Sequence, residues 1–180
     1  MDPLGLASGT VTVLPYDPRW ADEFRHAARE IHDAIGSQII AVHHVGSTAV
    51  PGLCAKPILD ILVSVSDLAQ ALELVPHLET LGYEFRPNEE IPDRHYFRRL
   101  RGKHRTHHLS LAEPSSRYHR VTLAFRDALR ANADDARRYA ELKLDLARKF
   151  PYDREAYIAG KSDFVADILS KHSDTSKETR

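Results

Sequence analysis

The sequence predicts an α+β fold, with a mixed α/β half to about residue 113 followed by a helical half. Two observations carry this. Short β-branched runs punctuated by Gly and Pro alternate with amphipathic stretches up to Leu111. From Arg117 onward the apolar spacing turns helical and stays so. The expected division is 1–113 for the α/β core and 114–172 for the helical region, with a polar, disordered tail over 173–180.

Taken in order, Val11 to Leu14 alternates and reads as a short strand. Asp17-Pro18 is a helix start, a side-chain acceptor followed by proline at the first helical position. Trp20, Phe24, Ala27, Ala28, Ile31 and Ile35 then form one apolar face, which Gly36 ends. Ile39 to Val45 reads as a strand, Gly46 to Lys56 as a loop, and Pro57 to Val65 as the most apolar strand. Asp67 caps a helix expected to run to Leu81, Tyr83 to Arg86 starts another strand, and Asn88 to Asp93 is an acidic loop. His95 to Leu100 and His107 to Leu111 read as two strands joined at Arg101-Gly102-Lys103. Helices are expected over Tyr118–Ala131, Asp134–Phe150 and Arg154–Lys171.

Composition narrows the function. The net charge is -1, so no global basic field exists to neutralise a nucleic-acid backbone, and none is expected as partner. A local basic cluster can still hold a small phosphorylated ligand. One cysteine, Cys54, excludes an intrachain disulfide, and the expected setting is cytoplasmic. The N-terminus shows no basic region followed by an apolar run, and no apolar run is long enough to span a membrane. The oligomeric state is not legible.

The residues able to carry chemistry gather around "HHVGSTAVPGLCAKPILDILVSV". Side chains alternate along a strand, so Leu59, Ile61, Val63 and Val65 form a core face. Asp60 is a lone charge on the opposite face, where it demands compensation: a metal, a cation or a capped amide. If the later strand belongs to the same sheet, Ser64, His108 and Ser110 look out beside Asp60, and His44 is a candidate to join them. Gly46 lets a backbone amide approach a ligand, Ser47 and Thr48 offer hydroxyls, and successive amides in such a turn can form an anion nest. Lys56 adds a point charge. In the helical half Tyr-x-x-x-Lys occurs twice, as Tyr139/Lys143 and Tyr157/Lys161, each lysine at the edge of an apolar stripe. Either lysine snorkels to water, or both reach a cleft between the halves and meet an anion.

The quoted stretch resembles the signature of the GrpB family, a His-(Ile/Val)-Gly-Ser-Thr turn followed by a Lys-Pro-x-x-Asp strand. The resemblance continues through "VLPYDPRWADEF", "RTHHLSL", "LAFRDALR", "YAELK" and "YIAGKSDFV". It implies a nucleotidyltransferase-like mixed β-sheet with flanking helices and a C-terminal helical part. The superfamily pattern is Gly-Ser, a spacer, then two carboxylates on one strand and a third on a later one. Gly46, Ser47 and Asp60 match it. Leu62 stands where the second carboxylate is expected, and His108 and Ser110 occupy the later strand. Two Mg²⁺ ions ask for more oxygen ligands than that. A single Mn²⁺ or Zn²⁺ on Asp60, His44 and His108, or one Mg²⁺ arriving on a nucleoside triphosphate, suits the residues better.

The resemblance therefore implies nucleotidyl transfer to a small-molecule acceptor. Gly46, Ser47, Thr48, Lys56, Lys143 and Lys161 would hold phosphates, Asp60 a metal, and His108 or His44 a proton. The alternatives are a degenerate nucleotide- or metabolite-binding module, which Leu62 favours, and a single-metal enzyme of other chemistry.

Overall fold

The computed structural model describes residues 3–87 and 91–175, with side chains to residue 171. Its elements are β1 (Leu6–Ala7), α1 (Arg19–Ile35), β2 (Ala41–Val45), β3 (Leu59–Ser64), α2 (Val75–Thr80), β4 (Tyr83–Phe85), β5 (His95–Arg101), β6 (His104–Ala112), α3 (Arg117–Ala131), α4 (Ala133–Lys149), α5 (Arg154–Ala159) and α6 (Ser162–Thr175). The strands form one mixed sheet in the order β2-β3-β6-β5-β4, with β1 added against the start of β6. All pairs are antiparallel except β3 with β6.

The two sheet faces differ in what covers them. Leu59, Ile61, Val63, Phe97, Leu109 and Leu111 pack against Trp20, Ala27, Ile31 and Ile35 of α1 and Leu78 of α2. This face holds the main core. The helix bearing those residues starts where Asp17 accepts the Arg19 amide at 2.9 Å. The other face carries Asp60, Leu62 and Ser64, and α3 lies over part of it: Leu62 and Val45 meet Tyr118 and Leu123. Helices α4 and α6 pack on α3 around Leu129, Tyr139 and Phe164. The helical half thus closes the second face of the sheet.

Four expectations are corrected by the structure. Val11 to Leu14 is not a strand: Leu14 makes one bridge to Ala55, and the short strand lies at Leu6–Ala7. The helix expected from Asp67 to Leu81 is a turn of 3₁₀ helix, Gln70–Leu74, followed by α2 with Pro76 in its first turn. Asp67 still caps, accepting the Ala69 and Gln70 amides. The last helix is broken into α5 and α6 around Gly160-Lys161. A side chain at Gly160 would place its Cβ 2.5 Å from Leu146 Cδ2, so the glycine lets the break lie on α4. Finally, α6 runs to Thr175, into the segment expected to be disordered, while 176–180 and much of the acidic loop, 88–90, lie outside the described residues.

Two histidines lie in or beside the main core. His44 stacks on Phe24 with 4.6 Å between ring centroids, and its Nε2 is 3.0 Å from Thr48 Oγ1. Burial pushes its pKa down to about 4, and that of His107 to about 3. Both imidazoles are therefore neutral at pH 7. A base with a depressed folded pKa supports the fold fully above its unfolded value, near 6.5, and loses that support as pH falls. Urea unfolding is expected to show stability falling from about pH 6.5 to about pH 4, with a slope approaching about 1.4 kcal/mol per unit for each histidine. His44→Gln should flatten the slope.

Candidate functional site

Parallel pairing of β3 with β6 sets Asp60 opposite His108, and Leu62 opposite Ser110. The His108 ring reaches the Asp60 carboxylate, Nδ1 to Oδ1 at 3.0 Å. Asp60 lies on the floor of a cleft of about 480 Å³ between the sheet, the 46–56 connection and helices α4 to α6. It keeps 42% of its side chain open to that cleft. Burial pushes the Asp60 carboxyl up, but the hydrogen bond from His108, with the charges of Lys56 and Lys161, outweighs it. The group is held below the usual carboxylate range.

His44 does not belong to this site. It pairs with Ile61, and Val45 pairs with Asp60, so His44 faces the α1 side of the sheet. The expected ligand trio of Asp60, His44 and His108 is thereby overturned. Thr48 borders the cleft, but its hydroxyl is bound to His44, so its side chain is spent on the opposite layer.

Gly46 has φ +70, and a Cβ there would fall 2.3 Å from Asp60 Oδ2. Only glycine fits, for backbone and space alike. The turn that follows, Ser47–Ala49, is held from behind by α3. Arg126 donates to the His44 carbonyl at 3.0 Å, and Arg130 donates to the Ala49 carbonyl at 2.7 and 2.9 Å. Ser47 faces the cleft, where Tyr139 also lines the wall.

The lysines converge. Lys56, Lys143 and Lys161 all line the cleft. Lys143 lies 4.7 Å from the Tyr139 ring centroid and Lys161 4.7 Å from that of Tyr157, which also faces Lys56 at 5.1 Å. The Tyr-x-x-x-Lys repeat is thus a pair of cation–π seats one helical turn apart. Lys143 is 2% exposed and donates to the Cys54 carbonyl, so it does not snorkel. Burial, then repulsion from its neighbouring lysines, pushes its pKa down to about 7 and that of Lys56 to about 8. Lys161 is lowered too, by burial and by Arg154, against the pull of Asp60.

Among the polar wall residues, Arg154, Tyr118, Tyr139 and Tyr157 escaped prediction as site residues. Tyr157 was visible as part of the repeat, but an arginine at a helix start looks like any solvated one. Arg94, just ahead of β5, also lines the wall. A wider groove of about 580 Å³ lies behind the turn, walled by Val50, Leu53, Leu129 and Ala140. Its two arginines are already engaged, Arg130 by the Ala49 carbonyl and Arg137 by Asp134 and Glu141, so it suits chemistry poorly.

Among the described residues no three His, Cys, Asp or Glu side chains come together to hold an ion. Leu62 is fully buried beneath Tyr118 and Leu123, so the place of a second carboxylate is a dry apolar contact. Ser110 is bound by Arg94 Nη1 at 3.1 Å, so a guanidinium stands near the third. Two bound Mg²⁺ ions, or a closed Zn²⁺ site, do not fit these donors. Asp60 by itself offers oxygen ligands to no more than one hard ion.

Gly46→Ala is expected to cost more than the roughly 1–2 kcal/mol of left-handed backbone alone, because the methyl strikes Asp60. In a double-mutant cycle, Asp60→Ala should relieve part of the penalty, giving a coupling of about 1 kcal/mol or more by chemical denaturation. Strict additivity would show that the two residues do not press on each other.

Comparison with known proteins agrees with the geometry. The family model "GrpB protein" matches residues 10–171. A UPF0157 protein of Pseudomonas aeruginosa is 44% identical over 89% of this chain and 67% of its own length. Another, from Halalkalibacterium halodurans, is 39% identical over 91% of this chain and 83% of its own. The crystal structure of the conserved protein GrpB from Enterococcus faecalis superposes with TM-score 0.83 at 32% identity, over 91% of this chain and 98% of that one. Cid1 in complex with its short product ApU shares the fold at TM-score 0.50 and 15% identity, over 76% of this chain and 43% of that one. The chain is a member of the GrpB family, with a nucleotidyltransferase-like fold.

Proposed function

We propose that the cleft binds a phosphorylated small molecule of nucleotide type, phosphates toward the lysines, with one divalent ion between Asp60 and the phosphate oxygens. The observation that carries this is the charge balance. Lys56, Lys143 and Lys161 surround a single carboxylate, and burial and mutual repulsion lower their basicity. Buried like charges are costly, and an anion reverses the cost. Ser47 and the Gly46 turn stand at the same wall and supply neutral donors. Mg²⁺ or Mn²⁺ carried on the ligand would screen phosphate charge and polarise the phosphorus.

A second reading is that the bound nucleotide is a substrate for transfer, and His108 favours it. Asp60 holds Nδ1, which leaves Nε2 as the lone-pair nitrogen, buried and without a partner. An acceptor hydroxyl would bond to the α-phosphorus, the bond from that phosphorus to the bridging oxygen would break, pyrophosphate would leave, and the hydroxyl proton would pass to Nε2. Pyrophosphate release with Mg²⁺ or Mn²⁺ and an added small alcohol, lost in Asp60→Ala, is the test. Saturable binding without release leaves the binding module.

Two outcomes test the binding site itself. Inorganic triphosphate without metal should bind Asp60→Asn more tightly than the unaltered protein, because a repelling carboxylate is gone. With Mg²⁺ present the order should reverse. Calorimetric titration reads both, and equal affinities in every combination would remove Asp60 from the site.

The lysines set a pH dependence of known sign. A lysine whose folded pKa is depressed destabilises the ligand-free fold while it is protonated in both states. That cost fades as pH rises from about 7, the folded value of Lys143, toward the unfolded 10.5. Ligand-free melting temperature is therefore expected to rise between about pH 7 and pH 9. Triphosphate affinity should fall over the same range, by up to about tenfold per unit for each lysine that deprotonates. Lys143→Met should raise ligand-free stability at neutral pH and abolish most of the pH effect.

A further inference from the structure

A second chamber, of about 270 Å³, adjoins the cleft and shares Asp60, His108, Arg94, Tyr118 and Arg154 with it. Tyr96, Ser110, Val45 and Ile61 complete its walls. We propose that this chamber binds the carboxylate of a second small molecule, seated on Arg94 and Arg154 beside the Asp60–His108 pair. The inference deepens the phosphate reading of the larger cleft, since it supplies a neighbour for the ligand held there.

Arg94 is built as a fixed receptor. Its guanidinium lies 4.7 Å from the ring centroids of both Tyr96 and Tyr118. Nη1 donates to Ser110 Oγ at 3.1 Å and to Tyr118 Oη at 3.0 Å. The two hydroxyls are themselves 3.1 Å apart. A planar fork held this way has lost its rotamer freedom before any ligand arrives. Its Nε–H is buried and has no acceptor, a state that native proteins rarely leave uncompensated. Among the described residues no carboxylate comes within 4.0 Å of the Arg94 or Arg154 guanidinium. Asp60, the acid of the chamber, is already engaged by His108.

The ligand class follows from size and charge. The chamber has room for roughly nine water-sized groups. The planar fork of Arg94 matches a carboxylate. A dianionic phosphate would meet more repulsion from Asp60 than a monoanion does. The tyrosine rings and Val45 offer apolar wall to a short carbon skeleton or one ring.

Nuclear magnetic resonance titration of the isotope-labelled full chain tests this with benzoate and L-lactate as probes. Benzyl alcohol and propane-1,2-diol serve as uncharged counterparts, and inorganic triphosphate as the probe of the larger cleft. The expected result is saturable shifts of the Tyr96 and Tyr118 rings with the carboxylates and none with the alcohols. These shifts should persist when triphosphate saturates the Lys161 signal. Arg94→Gln should weaken carboxylate binding by about tenfold, with Arg94→Lys intermediate, since an ammonium keeps the charge but not the fork. Arg154→Gln, at an exposed helix start, gives the same test should Arg94→Gln fail to fold. Carboxylates that shift Lys161 and are displaced by triphosphate would overturn the proposal, because one anion site then explains both. Absence of saturable carboxylate binding would overturn it as well. Carboxylate binding without triphosphate binding would sustain the chamber and overturn the phosphate reading of the cleft.

Discussion

Positive charge gathered around one carboxylate is the constraint on which the site depends. Lys56, Lys143 and Lys161 arrive from three segments, the β2–β3 connection, α4 and the α5–α6 break, and each loses basicity on arrival. A core would not collect buried cations for stability, since a hydrophobic residue of similar size costs less. The tyrosine rings beneath Lys143 and Lys161 offset part of the cost without cancelling the charge. Among the described residues Asp60 is the one carboxylate in the cleft lining. The arrangement carries more positive than negative charge, which the anion proposed above would balance.

What holds that arrangement is the clamp between the two halves. Arg126 and Arg130 of α3 grip the carbonyls of His44 and Ala49, and Lys143 of α4 grips that of Cys54. These bonds fix the 46–56 connection as the cleft wall, and those to Ala49 and Cys54 satisfy carbonyls that lie outside the strands. The same helices bury Leu62 and Val45. Stability of the helical half and shape of the site are therefore one problem. A change in α3 packing would move the Gly46 turn against Asp60, where 2.3 Å separates a hypothetical methyl from a carboxylate oxygen.

The comparison of sequence with structure is most instructive where the two part. Pro57 to Val65 was legible as a strand with Asp60 on its less apolar side, because alternation is local. The placement of Asp60, Ser64, His108 and Ser110 on one face agrees with the pairing of β3 and β6. His44 was misplaced because its face depends on the pairing of β2 with β3, which no single strand encodes. The break at Gly160 was missed because helical spacing continues across it, and only the contact with Leu146 reveals why the chain turns. Nothing local marks Arg94 among the chain's arginines; Tyr96 and Tyr118, which enclose it, come together only in the fold.

By itself the sequence determined the kinds of element, the side each residue takes within its own strand or helix, the lone acid of an apolar strand, and the family. These rest on periodicities of two and 3.6 residues and on short blocks in order, all of them local. Tertiary structure alone decided which faces meet, that three lysines share one hollow while His44 is excluded from it, and that a guanidinium stands where a third carboxylate was expected. Those outcomes depend on strand register and on helix packing across long separations in the chain, where many arrangements satisfy the same local pattern and only close packing selects one.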